Sequence, residues 1–249
     1  MHYGICQLSI VSLRFDPSDK SELVSQVLYG EVLKVIEQRK KWSKIRLAFD
    51  TYEGWIDNKQ FQFIEKEEYD SLSKSKPILS TDLVEFVEDA SKHLYPIPIG
   101  SSLNGLALLN HSHDGNTTSQ TNPKSELIKT AFLYLNAPYL WGGKTPFGID
   151  CSGFTQMVYK LNGHKLLRDA SLQATQGEAL SFIEESEPGD LAFFDNAEGE
   201  IIHVGIIMED NYIIHAHGKV RIDRLDHSGI YNTEKNIHTH KLRVIKKII

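Results

Sequence analysis

Two cysteines and eleven histidines carry the nucleophilic and proton-transferring chemistry available to this sequence near neutral pH. Three of these residues fall into a pattern. Cys151 stands in YLWGGKTPFGIDCSGFTQMVY (139–159), after a glycine-rich turn and at the head of an apolar run. Phe154, Met157, Val158 and Leu161 recur there at helical spacing, and Asp150 or Ser152 can cap the helix they predict. A thiol at a helix N-terminus faces unpaired N–H groups and the positive end of the dipole, which favours the thiolate. The plain alternative is a buried packing cysteine. His203 lies in IIHVGIIM and His215 in YIIHAHG. A tight turn at Glu209-Asp210-Asn211 would make these neighbouring strands and set the two imidazoles side by side. Thiol catalysis needs a base and a group that orients the base, and His203 and His215 fit those parts. His217, on the same strand face as His215, leaves open which of them orients His203.

The elements that must position these residues read as helices first and strands after. Asn122-Pro123 starts a helix through KSELIKTAFLYLN, with Leu127, Ala131 and Leu135 on one stripe, running to Ala137-Pro138. Asn162-Gly163 ends the Cys151 helix, and RDASLQATQGEAL reads as a loop and short helix. Beyond Pro188-Gly189-Asp190 come LAFFD, IIHVGIIM, YIIHAHG, VRI and HKLRVIKKI, a meandering sheet. Residues 122–249 are therefore α+β, not a doubly wound sheet. Residues 1–65 hold five short runs, Ile5 to Leu13, Leu23 to Tyr29, Glu31 to Glu37, Trp42 to Ala48 and Glu53 to Ile56, separated by turn residues. That density of strands predicts a small all-β barrel, with Cys6 a core residue. Residues 66–82 are charged and Ser/Lys-rich, a linker or surface hairpin. LYPIPIG and LNGLALL, within residues 83–121, read as extended pieces of a second, reduced barrel-like module.

Composition narrows the function classes. A hydrophobic content of 41% and an aromatic content of 10% support an ordinary core. A net charge of −6 argues against a nucleic-acid surface, and no apolar run is long enough to span a bilayer. The N-terminus lacks the pattern of a signal peptide, so if Met1 is the natural start the expected location is the cytoplasm. Two cysteines with no CxxC make no disulfide framework. The pairs His111/His113, His215/His217 and His238/His240 raise a zinc reading, but HExxH and paired-cysteine spacings are absent. The expected site uses no metal and no cofactor.

DCSGF, PGDLAFF, HVGI and IHAHG, in that order, resemble the NlpC-type cysteine peptidases of bacterial peptidoglycan, which have a papain-like fold. The resemblance implies Cys151 as nucleophile, His203 as general base and His215 as the polar third residue. Tyr139 matches the tyrosine of the family's YxWGG motif, and either its phenol supports an oxyanion beside the Cys151 N–H or it packs. SQVLYGEVLKVIEQRKKWSKIRL followed by EGWID resembles the bacterial SH3-type barrels attached to such enzymes. A narrower resemblance is to γ-D-glutamyl-L-diamino acid endopeptidases (dipeptidyl-peptidase VI), which act on stem peptides with a free N-terminal L-Ala. It implies a small-peptide substrate, release of L-Ala-D-Glu and a part in murein peptide recycling. The substrate-binding positions that match are Asp150, Ser152 and Asp169, with Glu22 and Tyr52 on the barrel. A carboxylate around the substrate ammonium would reject an acylated peptide, since the buried charge would be left unpaired. The competing readings are that Asp150 only caps the helix and that Asp169 pairs with Arg168. For the whole chain the alternatives are a hydrolase of intact peptidoglycan and a non-catalytic binder of wall peptides.

Overall fold

The computed structural model describes residues 2–249, in two compact units: residues up to 120 together with 141–146, and residues 121–140 together with 147–249. In the first unit a seven-stranded antiparallel sheet runs in the order Leu23–Leu28, Ile10–Arg14, Glu53–Asp57, Trp42–Leu47, Val32–Gln38, His2–Ile5, Gln62–Ile64. Alternation decides which face is buried: Val11 and Leu13 of Ile10–Arg14, and Ile45 and Leu47 of Trp42–Leu47, enter one core with Val27, Leu33 and Ile56. The run from Ile5 to Leu13 is two strands instead of one. Ile5 ends the strand His2–Ile5, which pairs with Val32–Gln38, and residues 10–13 lie in Ile10–Arg14, which pairs with Leu23–Leu28, so the chain turns between them from Cys6, which is buried as expected.

Residues 66–74, read as linker or hairpin, form the helix Lys66–Lys74. The signals for it are local. The Glu65 N–H donates to the Glu68 carboxylate at 2.7 Å, Glu67 and Glu68 sit in the first turn, Lys74 in the last, and Lys66 pairs with Asp70. Tyr69 and Leu72 then dock one stripe against Tyr3, Ile5, Val32 and Ile64. Further on, Val84–Asp89 lies between Leu94–Pro98 and His111–His113 in a three-stranded antiparallel sheet. LNGLALL, expected to be extended, contains the short helix Leu106–Leu109, whose Leu106 and Leu109 pack with Val87, Ile97, Leu103 and Tyr29.

In the second unit the helix Cys151–Leu161 is buried along its whole length and packs on strands Ile201–Ile207 and Tyr212–His217. The sheet order is Glu178–Leu180, Ile237–Lys247, Leu191–Asp195, Ile201–Ile207, Tyr212–His217, Lys219–Asp226, Gly229–Asn232. A further pairing of Gly229–Asn232 with Ile237–Lys247 closes the sheet on itself. The helix expected across residues 123–137 is shorter: a 3₁₀ turn at Lys124–Glu126 and then Leu127–Phe132. Past Phe132 the N–H groups of Leu133 and Tyr134 donate to the carbonyls of Thr130 and Ala131, tightening the last turn. Asn136, at φ 68°, then turns the chain out to donate its N–H to Val220.

Candidate active site

Asp150 has extended backbone (φ −92°, ψ 176°) and caps the Cys151 helix, its carboxylate accepting the Gly153 N–H at 2.6 Å. The same carboxylate holds Arg168, whose two terminal nitrogens donate to its two oxygens at 2.6 and 3.0 Å. Arg168 also donates to the Ser152 hydroxyl at 2.9 Å, and its side chain is 1% exposed. Arg168, which the competing reading offered as a partner for Asp169, is thus bound to both oxygens of Asp150. Asp150 and Ser152, expected toward the substrate's amino end, are both engaged by a buried guanidinium. Asp169 lies half-buried at the N-terminus of the short helix Ala170–Gln173.

Cys151 is the first residue of its helix and 6% exposed. Burial pushes its thiol up to about 12, and the Asp150 carboxylate adds to the rise. The Val204 amide, which hydrogen-bonds the sulfur, works the other way, as do Arg168 and the Ser152 amide. The helix terminus was expected to yield a spontaneous thiolate. Desolvation outweighs it here, so the resting group is a thiol that needs a base.

Two strands bring the histidines together. Ile201–Ile207 and Tyr212–His217 are antiparallel, with Gly205 opposite His215, and the turn between them is made by Asp210 and Asn211 at φ 56° and 59°. Asp and Asn tolerate that left-handed conformation better than other side chains. His203 Nε2 and His215 Nδ1 are 2.8 Å apart, with the rings near perpendicular. His215 Nε2 is 3.0 Å from an oxygen of Asp223, which is in turn held by Arg221 at 2.7 and 3.0 Å. Glycine is required at 205, because a Cβ there would lie 2.7 Å from Ile213 and 2.9 Å from His215. His217 is exposed, its ring centroid 6.3 Å from that of His203, so His215 is the histidine that engages His203. Burial, then the neighbouring His215, His240 and His217, hold His203 well below the usual histidine range.

Asp223 and His240 were not expected. His240 stacks on His203 with centroids 4.1 Å apart, and burial takes its pKa down to about 3. Asp223 shares a strand face with buried Leu225, and a carboxylate in phase with a core leucine was the available sign of it. Among the described residues no group of three or more His, Cys, Asp or Glu is disposed to hold a metal ion.

Tyr139 forms an isolated bridge with Ile149, which brings it near Cys151. Burial, then Cys151 and Asp150, push its phenol up, so it stays protonated as a donor. Glu22 and Tyr52 belong to the first unit, where Glu22 accepts the Trp141 indole N–H at 2.6 Å and Tyr52 packs partly buried against the barrel core.

Residues 136–239, which contain Cys151, His203, His215 and Asp223, match the NlpC/P60 family. The chain carries an NlpC/P60 cysteine-peptidase domain. Residues 13–61 ahead of it match the bacterial dipeptidyl-peptidase SH3 domain. Similar proteins include the γ-D-glutamyl-L-lysine dipeptidyl-peptidase of Bacillus cereus, 28% identical over 80% of this chain and 68% of that one. Dipeptidyl-peptidase 6 of Lysinibacillus sphaericus is 26% identical over 87% of this chain and 89% of its own length. The crystal structure of an NlpC/P60 family protein from Bacillus cereus has the same fold, with a TM-score of 0.81 at 21% identity over 99% of both chains. The α+β peptidase domain and the SH3 domain ahead of it agree with the reading of the sequence.

Proposed function

We propose that the NlpC/P60 domain hydrolyses the γ-D-glutamyl–diamino acid bond of peptidoglycan stem peptides bearing a free N-terminal L-Ala, releasing L-Ala-D-Glu for reuse. The observation that carries this is the hydrogen-bonded line of His203, His215 and Asp223 on a sheet whose Val204 amide, next to His203, bonds the buried Cys151 sulfur at a helix start. Cys151 Sγ attacks the γ-carbonyl carbon while its proton passes to His203 Nδ1, the ring nitrogen not engaged by His215. Negative charge develops on the carbonyl oxygen, where the Cys151 N–H and the Tyr139 phenol are the donors. Collapse breaks the C–N bond, and His203 returns the proton to the leaving amine of the diamino acid. Water, deprotonated by the same nitrogen, then cleaves the thioester and restores the thiol.

The names of the relatives support a dipeptide-releasing mode, since the similar proteins from Bacillus and Lysinibacillus are dipeptidyl-peptidases. Asp169, half-buried at the start of the short helix Ala170–Gln173, is the carboxylate of this domain that we assign to the substrate ammonium. The test is incubation with L-Ala-γ-D-Glu-diaminopimelate and with its N-acetylated form, with Cys151→Ala as control. Release of L-Ala-D-Glu from the free-amine peptide only supports the proposal. Cleavage of both peptides would replace it with an endopeptidase acting on intact wall, and cleavage of neither would remove it.

A further inference from the structure

We propose that Asp223 is a positioning residue that decides which nitrogen of His203 carries the proton, acting through His215. The inference rests on the reading of His203 as the base and deepens it. A neutral imidazole has one N–H and one lone pair, so two imidazoles sharing one hydrogen bond can satisfy it in two ways. In the first, His203 Nε2–H donates to His215 Nδ1, and His203 Nδ1 keeps a lone pair. In the second, His215 Nδ1–H donates to His203 Nε2, and the proton of His203 sits on Nδ1. The 2.8 Å separation between the rings is equally good for both. Only the first leaves a nitrogen able to accept the thiol proton. A histidine in the orienting position thus leaves the base ambiguous, because it can give or take the bond.

Asp223 removes the ambiguity. Its oxygen lies 3.0 Å from His215 Nε2, and an ionised carboxylate only accepts, so that nitrogen must carry the hydrogen. His215 Nδ1 is then a lone pair, His203 Nε2 must donate to it, and His203 Nδ1 is left bare. The chain of necessity holds because both rings are neutral and enclosed: His203 is 5% exposed and His215 0%, so water does not substitute for either partner. Arg221 grips the carboxylate with Nε at 2.7 Å and a terminal nitrogen at 3.0 Å, and Glu234 accepts from Arg221 at 3.2 Å. Burial works to raise the Asp223 carboxyl, but the bonds from His215 and Arg221 outweigh it and keep it ionised. As His203 takes the proton, the same carboxylate faces the positive charge through one neutral ring. The competing account makes Asp223 only the ion-pair partner of Arg221.

The experiment uses the full chain. In Cys151→Ala protein labelled with ¹⁵N-histidine, above pH 7, long-range ¹H–¹⁵N spectra assign the hydrogen to a nitrogen in each ring, with His203→Gln and His215→Gln giving the assignments. The expected result is Nε2–H at both His203 and His215, and a shift of His203 toward Nδ1–H in Asp223→Asn, whose amide can donate to His215 Nε2. Asp223→Asn should also lower kcat by about 10²- to 10⁴-fold with KM little changed, as a wrong-tautomer defect does in serine proteases. Arg221→Gln, which leaves the carboxylate in place, should lose far less. Nδ1–H at His203 in the parent protein overturns the proposal even if Asp223→Asn fails to fold. So does an equal loss in Arg221→Gln and Asp223→Asn, or an unchanged kcat in Asp223→Asn. Full turnover by His203→Ala would remove the reading of His203 as base, and the spectra would still report whether Asp223 sets the tautomer.

Discussion

Replacing Asp150 by asparagine separates its two engagements. Asparagine caps a helix about as well as aspartate, so the acceptor for the Gly153 N–H at 2.6 Å survives. The charge opposite Arg168 does not. Arg168 is 1% exposed and donates to both Asp150 oxygens, so the substitution leaves a guanidinium enclosed beside a neutral amide. Removing one partner of a buried ion pair costs about 3–5 kcal/mol, and Asp150→Ala should add about 1 kcal/mol for the lost cap. Against the ~5–15 kcal/mol that holds an ordinary domain together, either loss is large. With a urea m-value of about 1–3 kcal/mol/M, the midpoint for Asp150→Asn should fall by about 1 to 5 M. Far-UV circular dichroism is the probe, because Trp42, Trp55 and Trp141 all lie in the first unit and their fluorescence reports on that unit.

Asp150→Asn combined with Arg168→Met removes both charges and should recover a good part of the loss, since a buried pair is often replaceable by apolar groups at little cost. The reading this opposes makes Asp150 the receptor of the substrate ammonium. On that reading Asp150→Asn raises KM and leaves the urea midpoint where it was. A variant with an unmoved midpoint and a raised KM would refute the structural account of the pair.

Four further outcomes follow from the same geometry. Cys6 and Cys151 are both pushed up to about 12 by burial, so at pH 7 neither is a spontaneous thiolate; iodoacetamide should modify Cys151 faster only while His203 is present, and His203→Gln should bring its rate down to that of Cys6. A Cys151 rate indifferent to His203 would contradict this. As the proposed base His203 must be neutral, and its folded pKa lies well below 6.5, so kcat/KM should hold as pH falls through 6.5 and decline only further down. The linkage has the same sign for stability. The unfolded chain binds protons that buried His203, His215 and His240 refuse, so below about pH 6.5 each can subtract up to ~1.4 kcal/mol per pH unit, measured as urea stability against pH. Gly205→Ala drives a methyl against Ile213 and His215 and should cost about 1–3 kcal/mol, with a fall in kcat as His215 is displaced; an alanine variant of normal stability and turnover would show the close approach to be soft.

The parts of the site that could be read from the sequence are those set by neighbours along the chain. A capping residue before a periodic run placed Cys151, and alternation on either side of the Asp210-Asn211 turn placed His203 opposite the His215 strand. The Lys66–Lys74 helix was equally local, but its charges drew the eye away from the Tyr69 and Leu72 stripe. The unread parts depend on register. Asp223 reaches His215 only because Lys219–Asp226 pairs in one particular register with Tyr212–His217, and a slip of one residue would turn the carboxylate to the other face. His240 arrives on Ile237–Lys247, a strand that pairs with Leu191–Asp195 far back in the chain across an irregularity in the ladder. Arg168 had an acidic neighbour in Asp169, and sequence distance favours that partner. Helix-cap geometry brings in Asp150 as well, because a carboxylate already fixed by the Gly153 N–H presents both oxygens to the guanidinium at little further ordering cost. Of the two buried carboxylates, Asp150 was legible as a cap and only its arginine partner was missed, whereas Asp223 passed for an ordinary strand residue. Asp223 sits in phase with buried Leu225, where an apolar side chain would otherwise pack, and a charge in such a place needs a partner it cannot lose.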